Sequence, residues 1–253
     1  MKRLNLPHWL VSFLVISALI FTGCSNSTAN NSVESPTPKA ESISPSPLAK
    51  NTPQSLSKLP RLEGKATVLM IVKSSPITIE VDGTNAPITA GNFIDLVQRG
   101  VYNGLAFHRV VREPQPFVVQ GGDPKGKDEK VPMAQLGMSG FIDPATGSER
   151  RIPLEIKPKE GKEILYSRTF EEAGIKDKPT LSHTRGAVAM ARAYNPDSAS
   201  SQFYIALADL PFLDGSYAVF GNVKDGMDAV DKIQQGDRIE SAKVTSGLEN
   251  FKN

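Results

Sequence analysis

The run FHRVVREPQPFVVQGGD occupies residues 107–123 and reads as two short strands joined by a stiff turn. Apolar residues surround Arg109, two prolines lie within Arg112–Pro116, and a second apolar run ends at Gln120 before Gly121-Gly122. Brief apolar runs of this kind mark strands, and a Pro-bearing segment between them marks the reversal. Pairing the two brings Arg109, Phe117 and Gln120 together, which sets a permanent cation beside an aromatic ring and an amide. The prolines stiffen the turn, so it is expected to narrow one side of any cleft formed there.

Upstream, ATVLMIVK from Ala66 and PITIEVD from Pro76 read as two more strands, joined at Ser74-Ser75-Pro76. Between Pro87 and Gly100 the period changes: Ala90, Phe93, Ile94 and Val97 share one helical face, Pro87 suits the first turn and Gly100 the stop. An amphipathic helix therefore packs on the sheet. Residues 124–185 are rich in Lys, Glu, Gly and Pro. They predict a long region of surface loops, with one helical turn near Phe170 to Ala173. Strands resume at Gly186–Ala191, Gln202–Leu207, Ala218–Val223 and Arg238–Val244. Asp225 fits the N-cap of a second helix, with Met227, Val230 and Ile233 on one face and an end near Gly236. The fold class is mainly β. Closing eight strands into an antiparallel β-barrel removes exposed edges, and the two α-helices cap its ends. A two-sheet sandwich is the alternative that pattern alone leaves open.

The 253 residues are 39% hydrophobic and 22% charged, ordinary for a globular protein. The net charge of +2 arises from 29 basic and 27 acidic side chains mixed along the chain, so no basic stripe awaits a nucleic acid. At the N-terminus Lys2 and Arg3 precede an apolar run from Trp9 to Phe21, too short to span a bilayer comfortably, and then Thr22-Gly23-Cys24. Residues 1–23 read as an export signal. They also resemble a bacterial lipoprotein signal, which implies a lipidated Cys24 and a membrane-anchored protein on the extracytoplasmic or periplasmic side. Residues 24–60 are Ser, Thr, Asn, Lys and Pro without apolar periodicity, a disordered tether that would hold the next domain ~30–40 Å from its anchor. Cys24 is the only cysteine, so the domain at 61–253 has no internal disulfide and depends on its core.

Several chemistries lack their usual residues. His8, His108 and His183 have no metal-ligand spacing and no second cysteine exists, so no metal site is expected. The glycines match neither phosphate-cradling pattern, and there is no Gly-x-Ser-x-Gly elbow or sign of a cofactor. By contrast FHRVV at 107–111, FVVQGGD at 117–123, AMARA at 189–193, SQFYIAL at 201–207 and FLDGSYAVFGNV at 212–223 follow API-x-x-x-NF at 86–93. In that order they resemble the motif series of the cyclophilins over about residues 61–253.

The resemblance implies an eight-stranded closed barrel capped by two helices and a peptidyl-prolyl cis-trans isomerase acting on proline-containing polypeptides, here exported ones; nothing in the sequence requires more than a monomer. Rotation about a peptide bond meets a barrier of ~18–20 kcal/mol because resonance is lost at the twisted state. No covalent bond breaks, so a fixed donor aimed at the prolyl nitrogen suffices to favour that state. Arg109 takes this role by resemblance and Gln120 aims it. Substrate would be held by Gln202, with Phe117, Val118, Tyr204, Phe212 and Leu213 as the proline floor, Ala191, Arg192 and Ala193 along the backbone, and His108 and Tyr217 at the rim. Against those assignments, apolar strand residues are commonly core. The chain departs from common family residues at Val118 (Met), Phe212 (Trp), Tyr217 (His) and Arg192 (Asn). Phe212 lacks an indole N–H, which counts against binding of cyclosporin, and Arg192 adds a charge expected to favour acidic peptides. A binding module for proline segments and a structural role using 124–185 as a contact surface are the alternative functions.

Overall fold

The computed structural model describes residues 56–161 and 163–253. The expected signal at 1–23, Cys24 and the tether through residue 55 lie outside the described residues. Leu56 and Leu59 pack against the main core, so ordered packing begins before the expected boundary at 61.

All eight expected strands form one antiparallel sheet. They are β1 (Lys65–Val72), β2 (Ser75–Asp82), β3 (Arg109–Val111), β4 (Val118–Gly121), β5 (Ala187–Met190), β6 (Phe203–Ala206), β7 (Val219–Asp225) and β8 (Ile239–Ser246), in the order β8-β1-β2-β7-β5-β6-β4-β3. Alternation along β1 and β2 sends Val68, Met70, Ile77, Ile79 and Val81 into the core. The two strands join through Lys73 and Ser74, both at positive φ, the backbone a two-residue hairpin requires. The joint therefore lies one residue before the expected one, and Pro76 stands inside β2 opposite Ile71. Helices α1 (Pro87–Gln98) and α2 (Met227–Lys232) complete the main elements. Phe93 of α1 meets Tyr102, Phe203 and Phe220 at ring separations of 5.1, 5.5 and 4.9 Å in the core.

The sheet curls into a half-barrel and does not close. β3 and β8 are its edges, and β3 is only three residues long. The preceding chain crosses the start of β8 with a single bridge, Ala106 to Arg238, and a few backbone bonds such as Phe107 N–H to Asp237 O at 2.8 Å. Arg112 then leaves the seam, its Nη2 donating to the Val230 and Ile233 carbonyls at 3.2 and 2.9 Å at the end of α2. The Val230 carbonyl also accepts from Ile233 N at 3.1 Å, and a guanidinium suits carbonyls at the C-terminal end of a helix. The expected position of α2 also needs correction. Asp225 ends β7, Gly226 in the left-handed conformation occupies the N-cap, and the helix stops at Lys232.

Residues 124–185 are a covering layer more than a set of free loops. They contain 3₁₀ turns at Pro124–Lys127 and Met133–Gln135 and two short pairs, Ile142–Asp143 with Ser148–Glu149 and Glu155–Ile156 with Leu165–Tyr166. This layer explains why α1, expected to be amphipathic, is buried from Pro87 to Val97. Two polar groups on its buried face find partners there. Arg150 Nη2 donates to Asp95 at 2.6 Å with both side chains nearly inaccessible, and Asn92 Nδ2 donates to Ser200 O at 2.7 Å.

The helix has no side-chain cap of its own at Ala86. Instead the fully buried Glu155 accepts from Ile88 N at 3.1 Å and Thr89 N at 2.7 Å. Burial pushes the Glu155 carboxyl up, and the two backbone donors oppose that shift. Glu155→Ala should destabilise the protein by about 2–4 kcal/mol, from loss of the cap and of partners for two buried N–H groups. Urea unfolding of the full chain checks this, with Glu155→Gln losing less.

Candidate active site

Pleating decides which residues of the central strands face the site. Every residue of β5 and β6 is buried, on two different sides. Val188, Met190, Phe203 and Ile205 belong to the main core with Val119, whereas Ala187, Ala189, Tyr204 and Ala206 join Val118, Leu210 and Val219 in a second apolar cluster. Phe117, Leu213 and Tyr217 pack against that second cluster, so Tyr204 is not part of the main core. On this outer face one row crosses the sheet. Arg109 stands opposite Gln120, Gln120 opposite Tyr204, and Tyr204 opposite Ala189. Strand register thus gathers cation, amide and aromatic ring from distant parts of the chain.

Arg109 Nη1 donates to Gln120 Oε1 at 3.3 Å, and its Cζ lies 5.4 Å from the Phe117 ring centre. Gln120 Nε2 donates to Gln202 Oε1 at 3.2 Å, and Gln202 Nε2 to Ser139 O at 2.8 Å. The guanidinium therefore heads a polar chain that ends on the covering layer. Asp123 holds that end in place. It has no exposed surface, and its Oδ2 accepts from Gly137 N, Met138 N and Ser139 N at 2.7, 3.2 and 3.2 Å, while Oδ1 accepts from Lys125 N at 2.9 Å. Gly122 before it has φ 94°, and a Cβ there would meet Ser201 O at 2.4 Å, so this turn needs glycine.

The apolar part of the site is Phe117, Val118, Tyr204 and Leu213, with Phe212 stacked on Phe117 at 5.9 Å and 18°. Phe212 is 69% exposed, a ring at the edge instead of a buried floor. Beside it a 320 Å³ cleft is lined by Gln120, Met138, Glu149, Ala191, Ala193 and Gln202 among others. A larger groove of 750 Å³, between Val110, Val111 and the end of α2, lies off the row and holds none of the expected site residues. Arg112 and Glu113 line it, and no residue of the proline-bearing turn lines the 320 Å³ cleft that the turn was expected to narrow.

Two expected residues behave differently in place. Arg192 donates from Nε to Ser216 O and from Nη1 to Ala193 O and Tyr194 O, each at 2.9 Å, and lies 4.8 Å from the Tyr217 ring centre. Its charge is engaged by carbonyls and a π-face, so it clamps two walls of the site more than it offers a free cation. His108 is buried, and no hydrogen bond of good geometry reaches either ring nitrogen. Burial pushes its pKa down, with Asp123 opposing and Arg109 reinforcing the shift, which keeps it neutral near pH 7.

Sequence reasoning missed Asp123, Ser139, His183 and Asp214. An acidic residue after Gly121-Gly122 and another in Leu213-Asp214-Gly215 were the available signals, since Asp beside turn glycines often binds backbone N–H groups.

A family model described as cyclophilin type peptidyl-prolyl cis-trans isomerase/CLD matches residues 67–249. A Synechocystis protein named as a thylakoid lumen peptidyl-prolyl cis-trans isomerase is 42% identical over 79% of this chain and 52% of its own length. A chloroplastic peptidyl-prolyl cis-trans isomerase of Arabidopsis thaliana is 40% identical over 79% of this chain and 47% of its own. The chain spans about half the length of these two relatives, and 83% of a Helicobacter pylori peptidyl-prolyl cis-trans isomerase that is 34% identical over 68% of this chain. Among solved structures, a Cryptosporidium parvum cyclophilin type isomerase has the same fold, with a TM-score of 0.53 at 24% identity, covering 72% of this chain and 98% of that one.

Proposed function

Because this chain belongs to the cyclophilin-type peptidyl-prolyl cis-trans isomerase family, we propose that it isomerises X-Pro bonds in exported polypeptides. The observation that carries the reading is the guanidinium of Arg109, held by Gln120 on one sheet row and set over Phe117 beside an apolar surface. In the planar peptide the prolyl nitrogen shares its lone pair with the carbonyl; at the twisted state the pair returns to nitrogen and can accept a hydrogen bond. A donor fixed in advance favours that state over both planar ones. Phe117, Val118, Tyr204 and Leu213 hold the proline ring, Phe212 shields its edge, and Gln202 with Ala191 and Ala193 takes the preceding backbone. His108 and Tyr217 close the rim, and Arg192 holds Tyr217. The reaction needs no bond cleavage and hence no nucleophile. X-Pro bonds otherwise exchange over ~10–100 s, slow enough to delay folding.

The same reading divides the chain into a signal at 1–23, a tether at 24–60 lipidated at Cys24, and an isomerase domain at 61–253 that acts as a monomer outside the cytoplasm. Relatives named for the thylakoid lumen and the chloroplast support export. Among the described residues no helix is long and apolar enough to cross a membrane. In this reading membrane attachment rests on a lipidated Cys24.

In a prolyl isomerisation assay Arg109→Ala should lower kcat by about 10–1000-fold, the scale of one lost transition-state donor, with folding intact. Equal turnover in both proteins would remove Arg109 from the mechanism. Mass spectrometry of the mature N-terminus should find an acylated Cys24; a free thiol there, or an intact Met1, contradicts the anchor.

A further inference from the structure

Behind the apolar surface lies a hydrogen-bonded series that the isomerase reading does not use. Asp214 Oδ1 accepts twice from one residue, from His183 N and His183 Nδ1, each at 2.8 Å. On the other side of the ring, His183 Nε2 lies 2.9 Å from the Tyr204 hydroxyl. The His183 carbonyl accepts from Leu210 N at 2.7 Å, so backbone and ring are both held. His183 and Tyr204 are 2% and 5% exposed, which leaves water little access to the bond between them, while Asp214 is partly exposed.

The carboxylate sets the tautomer. With Nδ1 donating to Asp214, Nε2 is an acceptor and the Tyr204 hydroxyl must donate to it. We propose that Asp214, His183 and Tyr204 form a buried relay that fixes the Tyr204 ring as the rear wall of the proline site, Tyr204 determining the shape of that site and His183 and Asp214 serving as its positioning residues. The proposal rests on the isomerase reading for the identity of the ligand. Tyr204 faces the site because it shares the outer row with Gln120 and meets Tyr217 edge-on at 6.1 Å. Asp214 follows Leu213, so one series ties the floor to the wall. A Phe would fill the ring volume; the hydroxyl adds orientation, and a buried hydroxyl requires the partner it has here.

Among the described residues Asp214 and Tyr204 are the titratable groups that face His183. Arg185, two residues along the chain, is occupied by Asp209 at its N–H and by Asp231 at Nη2, 2.7 and 2.6 Å away. Protonating His183 places a proton on Nε2, so the Tyr204 hydroxyl turns from donor to acceptor and its own proton loses its partner. Burial lowers the His183 pKa and Asp214 opposes the shift, so this loosening belongs below the ordinary histidine range.

Because the wall touches planar and twisted prolines alike, its effect belongs in KM. The test measures kcat and KM of the full chain on a tetrapeptide with a central Ala-Pro bond, from roughly pH 5 to 8. Tyr204→Phe should raise KM by about 3–10-fold at neutral pH, the scale of one buried hydrogen bond, and keep kcat within about twofold. It should also lose the low-pH rise in KM expected of the unsubstituted chain. His183→Gln, whose amide oxygen can accept from Tyr204, should restore a KM near the original but without pH dependence. A Tyr204→Phe protein with unchanged KM and pH profile would overturn the relay, as would a loss confined to kcat. Nitrogen NMR of the His183 ring reads the relay without turnover. An Nδ1–H tautomer whose Nε2 signal moves in Tyr204→Phe is expected, and an unmoved signal sinks the proposal even if the protein isomerises prolines normally. Absence of turnover in the unsubstituted chain would instead count against the isomerase reading alone.

Discussion

Successive side chains of a strand must point to opposite faces, and in β4, β5 and β6 both faces are covered by apolar clusters. That constraint separates Phe203 from Tyr204 and Val119 from Gln120: one member of each pair packs into the core and the other faces the site. A slip of one residue between β4 and β6 would exchange the two sets and dismantle both. The site is thus a by-product of register. Arg109 gains its place by standing opposite Gln120, and the large aromatic core beneath keeps the row in position.

The polar elements depend on the same arrangement. Gln120 lies between Arg109 and Gln202, so its amide can orient a cation only while its other end is held. That hold passes through Ser139 to Asp123, whose carboxylate gathers three backbone N–H groups of the covering layer. Glu155 anchors the same layer on α1. A segment that composition describes as loose is therefore part of what holds Arg109 and its row in place.

Periodicity was enough to find the eight strands and α1, because alternation and helical spacing are local properties. The ordered motifs from Phe107 to Val223 were enough to pick out Arg109, Gln120 and Tyr204 of the row, and Gln202 beside it. What stayed illegible depends on contacts between distant residues. Nothing near Ala86 announces that Glu155 will cap α1, and nothing in Arg192 announces that its charge will be spent on Ser216, Ala193 and Tyr194 carbonyls. Barrel closure was misjudged for a similar reason. Eight strands suggest a closed barrel, but a three-residue β3 and an Arg112 drawn to the end of α2 leave the seam to a few backbone bonds.

The central claim is that Gln120 matters by aiming Arg109, so the two act as one unit. Measuring kcat for Arg109→Ala, Gln120→Ala and the double substitution tests it directly. The account predicts that Gln120→Ala lowers kcat when Arg109 is present and has almost no further effect once Arg109 is gone. Losses that simply multiply would contradict it, and would make Gln120 an independent contact.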